Sequence, residues 1–404
     1  MTRIATRETG VEPARMAAGR SDVRRHNVAA LLRVLLEHGP TPRVDLARML
    51  SLGSGTTTRI TGELTKAGLL RELPGLVGGA GGRPRVPLDL STDRFHVVGI
   101  HVGLRWTTIG LVDLRGSLVD QTMRVEHDGR LDPSLVVREA SQAIEQMTAK
   151  SPARIIGTGF ATGGRVDSRH GVVRAHTLLG WTDVDVAAIA DGQFPGKLRV
   201  DSTERALARA EMWFGAALKV PNFLHVYVGN VIGAGIVVDR RVYHGRDEGA
   251  GDIAHLPLSR PALVPCQCGR SGCATSVASD LAIVRRAERE GVLLPGHLLG
   301  DLIAKAKAGD RLADYLLRDR ARAVGESIAI VHDMMAPDQV ILFGTPLRVP
   351  EHLAEVRAEA RRWARSGFDA DRMITPSALD DNAPVIAAAT SVLDRFYADP
   401  FAFV

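Results

Sequence analysis

A chain of 404 residues is long enough for two or three domains, each with a full hydrophobic core. Apolar residues make up 45% and charged residues 24%, and no apolar run approaches the ~20 residues that span a bilayer, so the texture is that of a soluble globular protein rather than a helical membrane one. Net charge is +5 and lies at one end: residues 1–90 carry 14 Lys and Arg against 8 Asp and Glu, the remainder 37 against 38. A basic segment on a neutral body is the electrostatic footprint of a nucleic-acid module, although a solvated tail has the same composition. The N-terminal arginines alternate with glutamates and no apolar stretch follows, unlike a secretion signal, so a cytoplasmic protein is expected.

Residues 1–22 show no period and are expected to be a disordered arm. Val28, Leu31, Leu32, Leu35 and Leu36 then recur at spacings of three and four, which predicts an amphipathic helix ended by His38-Gly39-Pro40. A short helix is expected from about Arg43 to Leu50, with Val44, Leu46, Ala47 and Leu50 inward, and a third from Ser54, as N-cap, to about Ala67. Two short helices joined by a small-residue turn make a helix-turn-helix. On the third helix Thr56, Thr57, Thr58, Arg59 and Thr61 are expected to face outward, where short hydroxyls let a helix approach a duplex and Arg59 reaches a base edge. Ser54 joins this face, and Arg43 and Lys66 are candidate phosphate contacts. The run from Leu69 to Leu73, a glycine-rich tip and a return from Arg83 to Leu90 describe a wing whose Arg83 and Arg85 suit a minor groove. The same glycine run also suits a plain linker.

From His96 the texture becomes α/β. Strands are expected at Val97–Gly103, Trp106–Val112 and Ser117–Val125, then a helix over Pro133–Thr148 and a strand over Ile155–Phe160. The pattern repeats with β segments at Phe223–Tyr227, Gly233–Val238 and Arg241–Tyr243, helical stretches over about 279–290 and 301–334, a buried strand at Val340–Phe343 and a helix over Pro350–Arg365. This repetition suggests two α/β lobes around a cleft. All three cysteines fall in one window, Cys266-Gln-Cys268-Gly-Arg-Ser-Gly-Cys273, with His255 eleven residues upstream. Three thiolates and an imidazole meet the needs of a closed, structural Zn²⁺ site, one ion per chain, and Gly269 and Gly272 permit the tight turns.

The order of helix-turn-helix, Gly-Gly-Arg-Pro, two-lobed body and C-x-C-G-x-x-G-C resembles the ROK family of repressors, open reading frames and kinases. The resemblance is most specific over Gly249 to Ser279, including Ala250-Gly251-Asp252-Ile253-Ala254-His255-Leu256. It implies an N-terminal winged helix-turn-helix over residues 23–90 and an actin-like, sugar-kinase-like body over 91–404. Lobe one would run over about 95–200 and lobe two over about 201–385, with the C-terminal segment returning to lobe one. It also implies a sugar pocket at Thr177, Asp201, Asp252, His255 and Thr275.

Family kinases open with a D-x-G-G phosphate turn, whereas the matching segment here is His101-Val102-Gly103-Leu104, without the acid and the second glycine. The second turn, Gly229-Asn230-Val231-Ile232-Gly233-Ala234-Gly235, keeps glycines that a strand-to-strand bend alone would explain. Asp201 stands where the family's general base stands, but Val200, Thr177, Asp252 and Thr275 replace an asparagine, an asparagine and two glutamates of the usual ring. The expected protein is therefore a non-enzymatic transcriptional regulator, a repressor, binding a roughly palindromic double-stranded operator as a homodimer or higher oligomer under control of a sugar or other small ligand. The alternatives are a sugar kinase with an accessory DNA-binding domain, which Asp201 favours, and a DNA-bound regulator without a small ligand, which the altered pocket favours.

Overall fold

A computed structural model describes residues 20–75, 85–120, 122–127, 131–260 and 265–404. Up to residue 19 the expected arm lies outside them, and α1 (Arg20–His38) begins within its last three positions. Then follow β1 (Thr41–Pro42), α2 (Arg43–Met49) and α3 (Ser54–Lys66), then β2 (Leu70–Glu72) and β3 (Pro87–Leu90). Strands β2 and β3 pair antiparallel, Leu70 opposite Leu90, and β1 adds to the free edge of β3. The hairpin tip, Arg83 included, lies outside the described residues. Val28, Leu31, Leu32, Leu35, Leu46, Ile60 and Leu64 are buried together, as their spacing predicts. Val44 is not: it is 68% exposed, because α2 is short and presents only Leu46 fully to the core. Gly53 rather than Ser54 caps α3, and Ser54 is its first residue.

The body opens with β4 (Phe95–Val102), β5 (Trp106–Asp113), β6 (Met123–Glu126), α4 (Pro133–Thr148) and β7 (Arg154–Thr162). Helix α4 has the predicted bounds because Asp132 accepts a hydrogen bond from the Ser134 amide and Pro133 suits the first turn. Among the described residues, the long strand expected from Ser117 survives as a bridge at Leu118 and the four residues of β6. A small meander absent from the sequence reading comes next, β8 (Arg165–Asp167), β9 (Val172–His176) and β10 (Trp181–Asp185), then α5 (Val186–Ile189) and β11 (Lys197–Ser202). Helix α6 (Thr203–Phe214) leads to β12 (Phe223–Val228), β13 (Ile232–Val238) and β14 (Arg241–Val242). After the cysteine loop come α7 (Ala274–Ala278), α8 (Asp280–Arg289), α9 (Leu299–Lys307) and α10 (Arg311–Met335). The single helical stretch expected over 301–334 is thus two helices, since Gly309, at φ +95°, ends one and Asp310 caps the next. β15 (Gln339–Gly344), α11 (His352–Trp363), α12 (Ala370–Met373), β16 (Ile374–Pro376) and α13 (Ala383–Ala398) complete the chain.

Two five-stranded sheets carry the body, in the orders β11-β7-β4-β5-β6 and β14-β13-β12-β15-β16. In each, the first strand sits centrally, pairs antiparallel with the second and parallel with the fourth. The halves therefore repeat one topology, the sugar-kinase-like plan. The last helix, α13, packs on β4, β7 and β11 of the first sheet and against α6, which itself lies on β12 and β13 of the second. These two helices join the lobes beneath the cleft. One continuous core runs from α1 through β2 and β3 to Phe95, Trp213 and Tyr397, so the helix-turn-helix unit is packed onto the body rather than tethered to it.

Candidate functional site

The outward face of α3 is a stripe of Gly55, Thr58, Arg59, Gly62 and Lys66, with Ser54 exposed and Thr56 half-buried beside it. Thr57 and Thr61, expected on this face, are 1% and 0% exposed. Both sit one helical step round the helix, where Thr61 donates to the Thr57 carbonyl at 2.9 Å. Thr57 is therefore withdrawn from the base-reading set. Arg43 is a brace: it donates to the Thr61 hydroxyl at 3.1 Å and to Glu72 at 2.7 Å, clamping α2 to α3 and the hairpin. Arg59 is largely exposed, 3.9 Å from Glu63, whose carboxylate is also taken by Arg24 at 2.6 Å. Arg85 lies 3.7 Å from Asp45. Gly55 and Gly62 have open space where a Cβ would stand. Glycine within a helix costs about 0.5–1 kcal/mol against alanine, so a pair on an open face with no packing reason leaves room for something outside the chain.

A cleft of about 500 Å³ opens between the lobes, within the range that holds a small ligand. Thr177, Asp252, His255 and Thr275 line it together. Asp201 does not line it. It is 3% exposed, and its carboxylate receives Arg205 at 2.7 Å and Arg209 at 2.5 Å. Burial alone would push this carboxyl up, but Arg209 and Arg205 overrule it and hold it at about 2. A carboxylate so held is a poor proton acceptor for a sugar hydroxyl. Asp201 has kept the motif position and exchanged its role for that of a buried counter-ion.

The side chains that reach the cleft floor instead are Glu204 and Arg205, from the first turn of α6, where Ser202 caps the helix. Burial pushes the Glu204 carboxyl up to about 7, and nearby Asp252 adds to the rise. Arg205 donates to the Val166 and Glu248 carbonyls, both at 2.8 Å, tying α6 to the meander of lobe one and to the loop after β14. Sequence reasoning passed over Glu204, Arg205, Glu248, Arg165 and Arg285, all of which line the cleft. Glu204 and Arg205 were findable: they stand three and four residues past Asp201, in the first turn of the helix that follows its strand.

Both phosphate turns are altered in three dimensions as well. Burial and the proximity of His176 push the His101 imidazole down to about 4, and burial does the same to His176. A neutral ring, His101, thus stands where phosphoryl transfer needs an anionic metal ligand, with a second neutral ring, His176, beside it. Gly233 and Gly235 owe their place to packing within β13. A Cβ at Gly233 would meet Glu204 Cγ at 2.6 Å, and one at Gly235 would meet the Glu204 carbonyl at 2.5 Å. Close approach of α6, rather than the bend, requires them.

His255, Cys266, Cys268 and Cys273 form a cluster that could hold a metal ion, their ligand atoms all within 4.8 Å of one another. Cys266 Sγ lies 3.4 Å from His255 Nδ1 and Cys268 Sγ 3.6 Å from Cys273 Sγ. That sulfur separation is far beyond a disulfide bond. It matches the edge of a tetrahedron with bonds of roughly 2.3 Å, which is about 3.8 Å. Gly269 at φ +82° and Gly272 at +77° make the turns that converge the sulfurs. The cluster walls the cleft, since His255, Cys266 and Cys268 line it.

Comparison with known proteins agrees with the two-lobed fold. The transcriptional regulator Rv0485 of Mycobacterium tuberculosis is 31% identical over 388 residues, covering 92% of this chain and 86% of its own. The xylose repressor of Bacillus subtilis is 25% identical over 94% of this chain and 98% of its own. A crystal structure of a ROK family transcriptional regulator, a homologue of the E. coli MLC protein, superposes with a TM-score of 0.77 over 93% of this chain and 97% of its own, at 23% identity. Residues 97–395 match the ROK family model, and the chain belongs to the ROK family.

Proposed function

We propose that this protein is a sequence-specific transcriptional repressor whose hold on its operator is set by a small ligand, a sugar or a derivative, in the interlobe cleft. The observation that carries the reading is the glycine-, threonine- and arginine-bearing stripe of α3, exposed on a unit that shares its core with the body. In this reading residues 23–90 are a winged helix-turn-helix and 91–404 the effector and dimerisation body. Ser54, Thr56, Thr58 and Arg59 face bases, Lys66 faces phosphate, Arg83 and Arg85 lie in the minor groove, and Arg43 acts from behind by fixing the helices. A homodimer presents two α3 helices to successive major grooves of a roughly palindromic site. Names borne by relatives, including a xylose repressor, support a repressor answering to a carbohydrate.

The test is a titration of DNA from upstream of the gene against scrambled DNA at ~150 mM salt. Tight binding to the first alone is expected, and Arg59→Ala should weaken it by about 1–3 kcal/mol while sparing the scrambled duplex. Equal weak binding to both duplexes by the unaltered protein would sink the reading.

Zinc is the ion that fits the cysteine cluster: three sulfurs and one nitrogen within 4.8 Å of one another supply all four ligands and leave no open position, so its contribution is structural. It would fasten the loop beside Asp252 and Thr275. Metal analysis is expected to find about one zinc per chain, and Cys268→Ser should release it and lower the midpoint of thermal unfolding. A metal-free protein with undiminished stability would remove zinc from the account.

A further inference from the structure

We infer that the cleft ligand carries an anionic group, seated between Arg165 of lobe one and Arg285 of lobe two. The inference rests on the cleft being the effector site proposed above. Both arginines line the cleft and both are exposed. Among the described residues neither forms an ion pair or a side-chain hydrogen bond, although Glu204, Glu248 and Asp252 line the same cleft. Their neighbours differ sharply. Arg174, on the adjoining strand, is held by Asp167 at 2.7 Å and Asp183 at 3.2 Å. Arg286, one residue along α8, is held by Glu290 at 2.9 Å and Asp319 at 2.6 Å.

The cleft's own acids do not answer the two guanidinium groups. Glu248 is taken by Ser168, His244 and Arg205. Asp252 and Glu204 lie beyond ion-pair distance of both, and Glu204 is held partly protonated by burial. The backbone at Arg165 is also re-aimed: β8 and β9 shift register between Arg165 and Val166, an irregularity of the kind that turns a side chain toward a site. Two unpaired cations thus line one cavity from opposite lobes. An anion between them pairs with both and links β8 to α8, while Asp252 and Thr177 remain to accept and donate to hydroxyls. The ligand class is therefore a polyol bearing a phosphate ester or a carboxylate.

Calorimetric titration of the full, metal-loaded chain with glucose, xylose, glucose 6-phosphate, xylose 5-phosphate and glucuronate tests this. A phosphate ester or the uronate should bind about tenfold or more tighter than its neutral parent, and which of them does so identifies the anion. That preference should shrink about tenfold in Arg165→Gln and again in Arg285→Gln, and should weaken as salt rises. Preference for a neutral sugar, failure of every anionic probe to bind, or an anion preference unchanged in both variants would each overturn the inference. Specific operator binding measured without ligand is independent of all these outcomes, so failure here and failure of the repressor reading are distinguishable.

Discussion

Replacing Asp201 with asparagine is expected to lower the free energy of unfolding by about 3–5 kcal/mol at neutral pH, the usual result of stripping a buried ion pair of one partner. Arg205 and Arg209 lose the carboxylate they share, and both lie inside the joint between the lobes. The pH dependence follows from the direction of the shift. Asp201 is held at about 2 in the folded chain against an ordinary 3.8, so its contribution is fully present above pH ~4 and fades as pH falls through 3.8 toward 2. Urea unfolding of both proteins between pH 7 and pH 2.5 measures this, and the gap between them should narrow only at the acid end. A gap under about 1 kcal/mol at pH 7 would mean that the aspartate is not the arginines' counter-ion. It would return Asp201 to the general-base role that its motif position suggests.

Asp201 also marks where sequence reading stops. A motif aspartate looks the same whether it faces a sugar or two arginines, although Arg205 and Arg209, one and two helical turns along α6, were a visible warning. What local chemistry decides was legible: Asp132 and Pro133 start α4 where expected, and the leucine spacing of α1 places its buried face. The cysteine window and His255 converge because their spacing and glycines permit little else. What tertiary contact decides was not legible. Threonine suits either face of α3, so the burial of Thr57 depends on the hairpin and α2 packing behind it. The strands of the meander β8–β10 are short and pair only with one another, which leaves little periodicity to read. Helix α13 is apolar nearly all round, a signature of full burial, yet only the family resemblance, and not its own residues, implies its return to the first lobe.

Substituting Arg33 with leucine is expected to leave folding and ligand affinity nearly unchanged and to abolish most of the ligand's effect on operator binding. Helix α6 begins at the cleft with Glu204 and Arg205 and ends at Trp213 and Phe214. The Arg33 guanidinium of α1 lies 4.3 Å over the Trp213 ring, Tyr397 packs at 4.6 Å, and the indole N–H donates to Asp394 at 2.9 Å. In the proposed regulation, a shift of α6 on ligand binding would reach the first helix of the DNA-binding unit through this packed ring rather than through a flexible linker. Burial and the nearby Arg240 disfavour the Arg33 charge while Glu37 and Asp394 favour it, so loss of the charge itself costs little stability. What it removes is a cation–π contact of about 0.5–2 kcal/mol, comparable with the 1–3 kcal/mol that usually couples two sites. Operator titrations with and without saturating ligand measure the coupling, and calorimetry on the same variant checks that the ligand still binds. A tenfold ligand effect in the parent should fall to about twofold in the variant. An undiminished effect would route the signal through another contact of the shared core, with Arg115 first in line, since it bonds the Leu35 carbonyl at 3.3 Å and pairs with Asp89 of β3.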